Sequence, residues 1–506
     1  MKIDLYLAAG ALGLAVAISA PAGAQMSMPG MTMPMPAKAE SKRKQTARKV
    51  TRKAPSATNG AKAQSAPPAQ SKPATKPAPA MGMPMDHGAM PTEPASAVPT
   101  DHSRMGRMAM PGMEHGEHAA MAMNGALGPY PMQREGSGTA WQPDNSGHTG
   151  LMSVGGGWTL MAHGIVNLVY DHQSGPRGDD KVFANGMLMG MAARPVGNGT
   201  LLFRASFSPD PLMGPSGYPL LLASGETANG RDRLIDRQHP HDLFMELSAS
   251  VSQDIGRKSS IFLYGGLPGE PAFGPPAFMH REAILDSPEA PISHHWLDST
   301  HISFGVVTAG LVVDRIKLEV SRFNAREPDQ HRWNIETGPM DSTAVRLSWN
   351  PTPELALQGS WGHFVDPEQL EPGVNQKRWS ASLLYSREVA KGWKFAGTLA
   401  WGRKTVGNYN DDAFVIETSA KHAEWTIFGR GEMTENRELM PLDEGGPAYR
   451  VGKISLGMVR DFRIADHLSI GAGGLFAINF VPDALAPFYG SNNPTGTMAF
   501  VRLKLD

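Results

Sequence analysis

The sequence predicts an all-β fold: a transmembrane antiparallel β-barrel of about sixteen strands, preceded by a long disordered N-terminal extension. Three observations lead there. From about Gly155 to the C-terminus, side chains alternate apolar and polar with a period of two. Short and long connections between those runs alternate down the chain. Residues 25 to about 140 hold almost no Ile, Leu, Phe or Val, so they cannot bury enough apolar surface to offset their ordering entropy.

The alternation is explicit in "WTLMAHGIVNLVY". Trp158, Leu160, Ala162, Gly164, Val166, Leu168 and Tyr170 fall on one face, with His163 and Asn167 on the other. Likewise Ile316, Leu318 and Val320 oppose Lys317, Glu319 and Ser321, and Trp379, Ala381 and Leu383 oppose Arg378, Ser380 and Ser382. In 243–252 the same rule puts Leu243, Met245 and Leu247 opposite Phe244, Glu246 and Ser248. This is the period of a strand with one apolar and one polar face. Strand starts fall near 157, 182, 199, 243, 259, 299, 312, 340, 354, 376, 392, 411, 423, 448, 466 and 495.

A soluble β-sandwich shows the same period, and connection length separates the two readings. Turns near 196, 257, 310, 352, 390, 421 and 464 are short, and the connections between them are mostly longer. Transmembrane barrels pair short periplasmic turns with long outer loops. Trp158 and Tyr170, on one face, lie about 30 Å apart along the membrane normal, the spacing of two aromatic girdles. The barrel therefore occupies 155–506, in contact with outer-membrane lipid. Its last strand, "TGTMAFVRLKLD", is what barrel-insertion machinery would engage, although it ends in Asp506 rather than an aromatic residue. Both chain ends fall in the periplasm of a Gram-negative bacterium.

Residues 1–24 read as a secretory signal peptide: Lys2, an apolar run from Leu5 to Ala20, then Ala22-Gly23-Ala24 before Gln25. The apolar run is short for a membrane anchor. Residues 25–150 form a disordered periplasmic segment rich in Met, His, Pro and Lys. Its part 37–80 carries eleven Lys or Arg against the single acid Glu40. The whole chain is nearly neutral at −1, so it is no polycation of the kind that binds nucleic acid. Cys is absent, which excludes disulfides and thiolate chemistry.

Sixteen methionines crowd between Gln25 and Gln133, where no core would use them. Three units stand out. They are "MGMPMDHGAM" with Met81, Met83, Met85, His87 and Met90; "DHSRMGRMAM" with His102, Met105, Met108 and Met110; and "MEHGEHAAMAM" with Met113, His115, His118, Met121 and Met123. Thioethers are soft ligands that select Cu(I), and Ag(I) by the same logic, while imidazole also serves Cu(II). The plain alternative is a low-complexity linker.

"MDHGAM" and "DHSRM" resemble the Met-Asp-His-Ser-x-Met units of copper resistance protein B, an outer-membrane protein of bacterial copper-resistance operons. A related outer-membrane family from metal-resistance loci fits the same layout. The resemblance implies a Met/His leader before a β-barrel, and a role in copper or silver binding and resistance. The main alternative is a general porin for small solutes, since a polar inner face of mixed sign suits a water-filled channel as well as a plugged lumen.

The connections at 210–242 and 269–298 are each near thirty residues, a length that is usually functional. They hold "RQHPHD" with His239 and His241, and "SHHWLDSTH" with His294, His295 and His301. Imidazole clusters of this kind ligate copper or zinc; hydrogen-bonding to an infolded backbone is the alternative. The connections also carry "YPLLLA" and "GPPAFM". Burying such side chains is worth roughly 1.5–3 kcal/mol each, so the loops are expected to dock into the barrel mouth. Ser and His adjoin in "SHH" and "DSTH", but adjacency supplies no catalytic triad, and no enzyme activity is expected.

Overall fold

The computed structural model describes residues 124–147, 150–441 and 446–506. The signal segment, the basic stretch and the three Met/His units from Met81 to Met123 lie outside the described residues.

Among the described residues the strands are β1 (Leu151–Gly155), β2 (Trp158–Gln173), β3 (Asp180–Val196), β4 (Gly199–Phe207), β5 (Tyr218–Thr227), β6 (Arg233–Gln238), β7 (Phe244–Gly256), β8 (Ser259–Gly266), β9 (Val306–Val313) and β10 (Ile316–Phe323). They continue with β11 (Ser342–Thr352), β12 (Leu355–Phe364), β13 (Gln376–Ala390), β14 (Trp393–Val406), β15 (Tyr409–His422), β16 (Trp425–Asn436), β17 (Tyr449–Ala465), β18 (Leu468–Phe480) and β19 (Thr495–Leu505). Sixteen of them, β2–β4 and β7–β19, close into one antiparallel barrel. β19 pairs with β2 to shut the ring, Arg502 opposite Asn167. β1 folds back on the first half of β2, Leu151 opposite Ala162, and takes over that edge where β19 ends opposite Gly164.

The wall is apolar outside and polar inside, the reverse of a water-soluble protein. Leu160, Leu168, Val182, Leu318, Leu347, Trp379 and Leu456 are exposed, whereas Lys317, Glu319, Arg346, Arg378, Arg430, Lys453 and Arg502 are buried. Hydrocarbon accepts the first set, and a closed ring leaves no unpaired backbone facing lipid.

Three sequence expectations need correction. The strands expected from near 299 and 312 begin at Val306 and Ile316; Ser299–His301 is instead a single 3₁₀ turn, in which the His301 ring bonds the Asp298 carbonyl. The connection after β14 is a two-residue turn at 407–408, with Gly407 at φ 53°. Met245 does not face lipid. A bulge between the Ser206 and Phe207 pairings shifts the register of β7, pairs Phe244 with Phe207, and turns Met245 into a buried cluster with Ile302 and Phe304.

The lumen is filled from both mouths. From the short-turn side, residues 124–147 lie inside the ring, although disorder was expected to run to 150. This segment has few apolar side chains of its own, and the barrel supplies its partners. Leu127, Tyr130 and Trp141 pack on Phe262 and Val312. Ser260 donates to the Leu127 carbonyl at 2.7 Å, Asn350 to that of Gln142 at 2.8 Å, and Arg346 to Thr139 Oγ1 at 2.9 Å. Arg134 is locked by Asp144 at 2.7 Å.

From the other side come the connections 208–243 and 267–305. The first contains the β5–β6 hairpin, whose Leu220, Leu221 and Leu222 are fully buried among Val169, Val451, Val459 and Phe500 of the inner wall. Leu222 sits at φ 72°, a conformation a branched residue adopts only when its surroundings impose it. Here its N–H is held by Asp236 Oδ1 at 2.8 Å.

Candidate metal centre

The two long connections meet inside the ring, and their histidines meet with them. His239 and His241 follow directly on β6. His294 and His295 open a four-residue helical turn, His294–Leu297, and His301 closes the 3₁₀ turn after it. All five are buried. His294 is central, with its ring centre 5.2 Å from His301, 5.6 Å from His295 and 5.9 Å from His239. His241 and His301 are 5.1 Å apart, and His239 and His295 5.7 Å. Phe278 covers one side, 5.8 Å from His294.

Each ring is anchored through Nδ1. His241 faces Asp210 Oδ2 at 2.8 Å, His294 faces Asp298 Oδ1 at 2.9 Å, and His295 faces Glu327 Oε1 at 3.1 Å. His301 faces the Asp298 carbonyl at 2.7 Å. His239 lies 3.2 Å from Glu226 Oε1 and 3.4 Å from the Pro240 carbonyl. Carbonyls and ionised carboxylates only accept, so Nδ1 carries the proton and Nε2 keeps its lone pair. On His239, His241 and His301 that Nε2 is buried and bonded to nothing among the described residues. An unsatisfied buried polar atom costs about 1–3 kcal/mol, and three of them share one cluster.

Asp298 organises the group. It holds His294 through its side chain and His301 through its backbone, and is itself gripped by Arg281 Nη1 at 2.5 Å. Arg281 reaches the barrel wall at Glu417, 2.7 Å from its Nε. The wall thus orients the imidazoles through two buried links. On the other flank Arg332 pairs with Glu226, and with Asp242 at 3.2 Å.

Protonation follows from this packing. Burial, reinforced by Arg332, pushes His239 well below the usual imidazole range. Burial and the neighbouring imidazoles do the same to His301. Burial lowers His294 as well, against the opposing pull of Asp298. For His295 burial works the same way, but the Glu327 carboxylate overrides it and raises the ring. Four-coordinate imidazole sites need neutral rings with a fixed tautomer and oriented outer partners, and His239, His294 and His301 meet that description.

Two of the ring separations match those around a shared ion. With metal–nitrogen bonds of about 2.0–2.1 Å, two imidazoles on one tetrahedral ion have ring centres about 5.2 Å apart. His241, His294 and His301 meet this through the two pairs at 5.1 and 5.2 Å. Among the described residues no group of three or more His, Cys, Asp or Glu is placed to hold a metal ion as the rings stand.

All five loop histidines expected from the sequence therefore come together. The sequence reading missed their anchors Asp210, Glu226, Asp298 and Glu327. It also missed a second feature beside them. A cavity of about 150 Å³ is lined by Met132, Met187, Met189, Met191 and Met279 and reaches His241. The signal was present in "MLMGM", where Met187, Met189 and Met191 alternate with the period of a strand.

No family model and no curated protein matches the chain. Among solved structures it is similar to OmpT of Vibrio cholerae, expressed in the outer membrane, at 8% identity over 70% of this chain and 100% of that one, with a TM-score of 0.40. An anion-selective porin from Comamonas acidovorans is 10% identical over 69% of this chain and 99% of that one, with a TM-score of 0.39. OccAB2 of Acinetobacter baumannii is 9% identical over 68% and 97%, with a TM-score of 0.35. At these identities and scores the likeness is one of layout, and nothing about function follows from it.

Proposed function

We propose that this chain is an outer-membrane β-barrel that binds a copper ion at the histidine cluster inside its lumen. The observation that carries the reading is the gathering of five buried histidines, His239, His241, His294, His295 and His301, in rings oriented from behind through Nδ1. Neutral imidazoles bind several divalent ions, with Cu(II) strongest in the usual order. The thioethers of the Met/His units favour Cu(I) or Ag(I). Copper is the ion that suits both donor sets of this sequence, and the resemblance to copper resistance protein B points the same way. A signal peptide before a transmembrane barrel supports the outer membrane as its place, with the Met/His segment on the periplasmic side. Capture of soft metal by that segment remains part of the proposal.

The test is copper content and the Cu(II) paramagnetic resonance spectrum of the full chain purified in detergent. The expected result is a nitrogen-coupled Cu(II) signal that disappears in the His294→Ala/His301→Ala variant, with heat-modifiable gel migration preserved. An unchanged signal in that variant would overturn the assignment.

A channel for small solutes is the second reading, favoured by the sixteen-strand ring itself. It requires the two plugs to move, because the inward-facing charges of the wall are buried against them. Conductance of the full chain in planar bilayers, with and without copper, separates the two.

A further inference from the structure

We infer that the methionine-lined cavity beside the histidines is a second metal site, one that takes a soft monovalent ion, Cu(I) or Ag(I), through thioether sulfur. The physiological ion rests on the copper reading above; the site chemistry rests on the cavity.

Inward positions on β10 and β13 carry polar side chains, Lys317, Glu319 and Ser321 on the one and Arg378, Ser380 and Ser382 on the other, while other strands turn Val169, Phe262, Val451 or Phe500 inward. On β3 three successive inward positions are instead Met187, Met189 and Met191. Met279 from the 267–305 connection and Met132 from the N-terminal plug share that cavity, whose lining also includes Glu135, Asn185, Arg204 and Lys504. Sulfurs from three separate segments thus face one space.

Packing does not account for that space. Methionine is useful in cores because it fills irregular gaps, yet here a cavity of about 150 Å³ stays open in front of the side chains. Met187 and Met189 also pack in a buried cluster with Met245, Ile302 and Phe304. Water competes for hard cations but is a poor rival to thioethers for a soft one, so thioether ligands discriminate against Mg(II) and Ca(II). A monovalent ion also brings less charge into a buried space than a divalent one.

The cavity is continuous with the histidine centre. His241 lines it and is also 5.1 Å from His301 in the cluster. Its Nε2 is one of the unbonded atoms. An ion leaving thioether ligation can therefore be taken up by His241 without returning to water. The oxidation state need not change in this hand-over, because imidazole accepts Cu(I) and Ag(I) as well.

The experiment uses the full chain in detergent, loaded with Ag(I) and then washed with a soluble dithiol. Wild type is compared with the Met187→Leu/Met189→Leu/Met191→Leu variant, a near-volume-conserving change. The expected result is that wild type retains about one Ag(I) equivalent more than the variant, since enclosed ions exchange slowly and the Met/His units are common to both proteins. Equal retention would overturn the site. Should the variant fail the gel-migration test of folding, X-ray absorption of the dithiol-resistant silver in wild type decides: sulfur neighbours support the site and nitrogen neighbours alone exclude it. The His294→Ala/His301→Ala variant keeps the two claims apart. If it loses the Cu(II) signal but keeps the sulfur-bound silver, both stand. If it keeps the Cu(II) signal, the histidine reading falls while the methionine site is judged on silver alone.

Discussion

The two halves of the lumen are filled by different chemistry. On the short-turn side, residues 124–147 meet the wall with paired charges and stacked rings: Arg134 with Asp144, Trp141 beneath Lys317 at 4.9 Å, and Arg346 bridging Glu319 and Thr139. On the other side the long connections also bring paired charges, and with them five buried histidines. A plug needs only to exclude solvent and satisfy the wall. The contrast is between a filling of paired charges and stacked rings and one that gathers histidines, which we propose as a binding centre, and it can be broken from either side.

The largest effect is expected for His294→Ala/His301→Ala, which should remove the Cu(II) signal of the histidine cluster while residues 124–147 stay as resistant to protease as in wild type. Arg281→Met comes next. It leaves Asp298 buried without its guanidinium and Glu417 with Arg430 alone, and losing one partner of such a group costs about 3–5 kcal/mol. The 267–305 connection should then be cleaved by protease and copper retention should fall, because Asp298 orients two of the imidazoles. Trp141→Ala is the counterpart on the other side. Removing a buried tryptophan costs about 3 kcal/mol or more, here confined to the plug. Faster nicking within 124–147 with unchanged copper content is the expected outcome, and a parallel loss of copper would show that the two halves are not independent.

The wall was legible because lipid outside and polar filling inside force a period of two. Most strand starts were placed within a few residues, and the errors cluster where the 267–305 connection re-enters the ring. The histidines were legible as residues, since imidazoles in Pro- and Gly-rich loops stand out. Their arrangement was not. Asp210 lies 31 positions before His241 and Glu327 lies 32 beyond His295, so only closure of the ring brings each anchor to its histidine. Met245 was misplaced because a bulge is a one-residue event that a period cannot register. Residues 124–147 were read as disordered because their partners sit on strands 66 to 241 residues away.

Glu270 touches both halves and should give the smallest effect, visible only as a dependence on pH. It opens the 267–305 connection, packs against Gly138 of the plug, and lies 3.9 Å from Arg346. Burial raises its carboxyl from the usual 4.5 to about 8; Arg346 opposes the shift, while Glu246 and Asp298 add to it. Between those two values the folded protein holds a proton that the opened form releases, so docking is most stable below about 4.5 and weakens as pH rises towards 8, then levels off. Hydrogen exchange of 124–147 and of the start of the 267–305 connection should therefore quicken between pH 5 and 8 in wild type. In Glu270→Gln, whose amide cannot ionise, that component should vanish and protection should stay near its low-pH level. If wild type and variant instead share one pH profile, Glu270 is ionised in the folded protein, and Arg346 rather than burial governs the contact between the two halves.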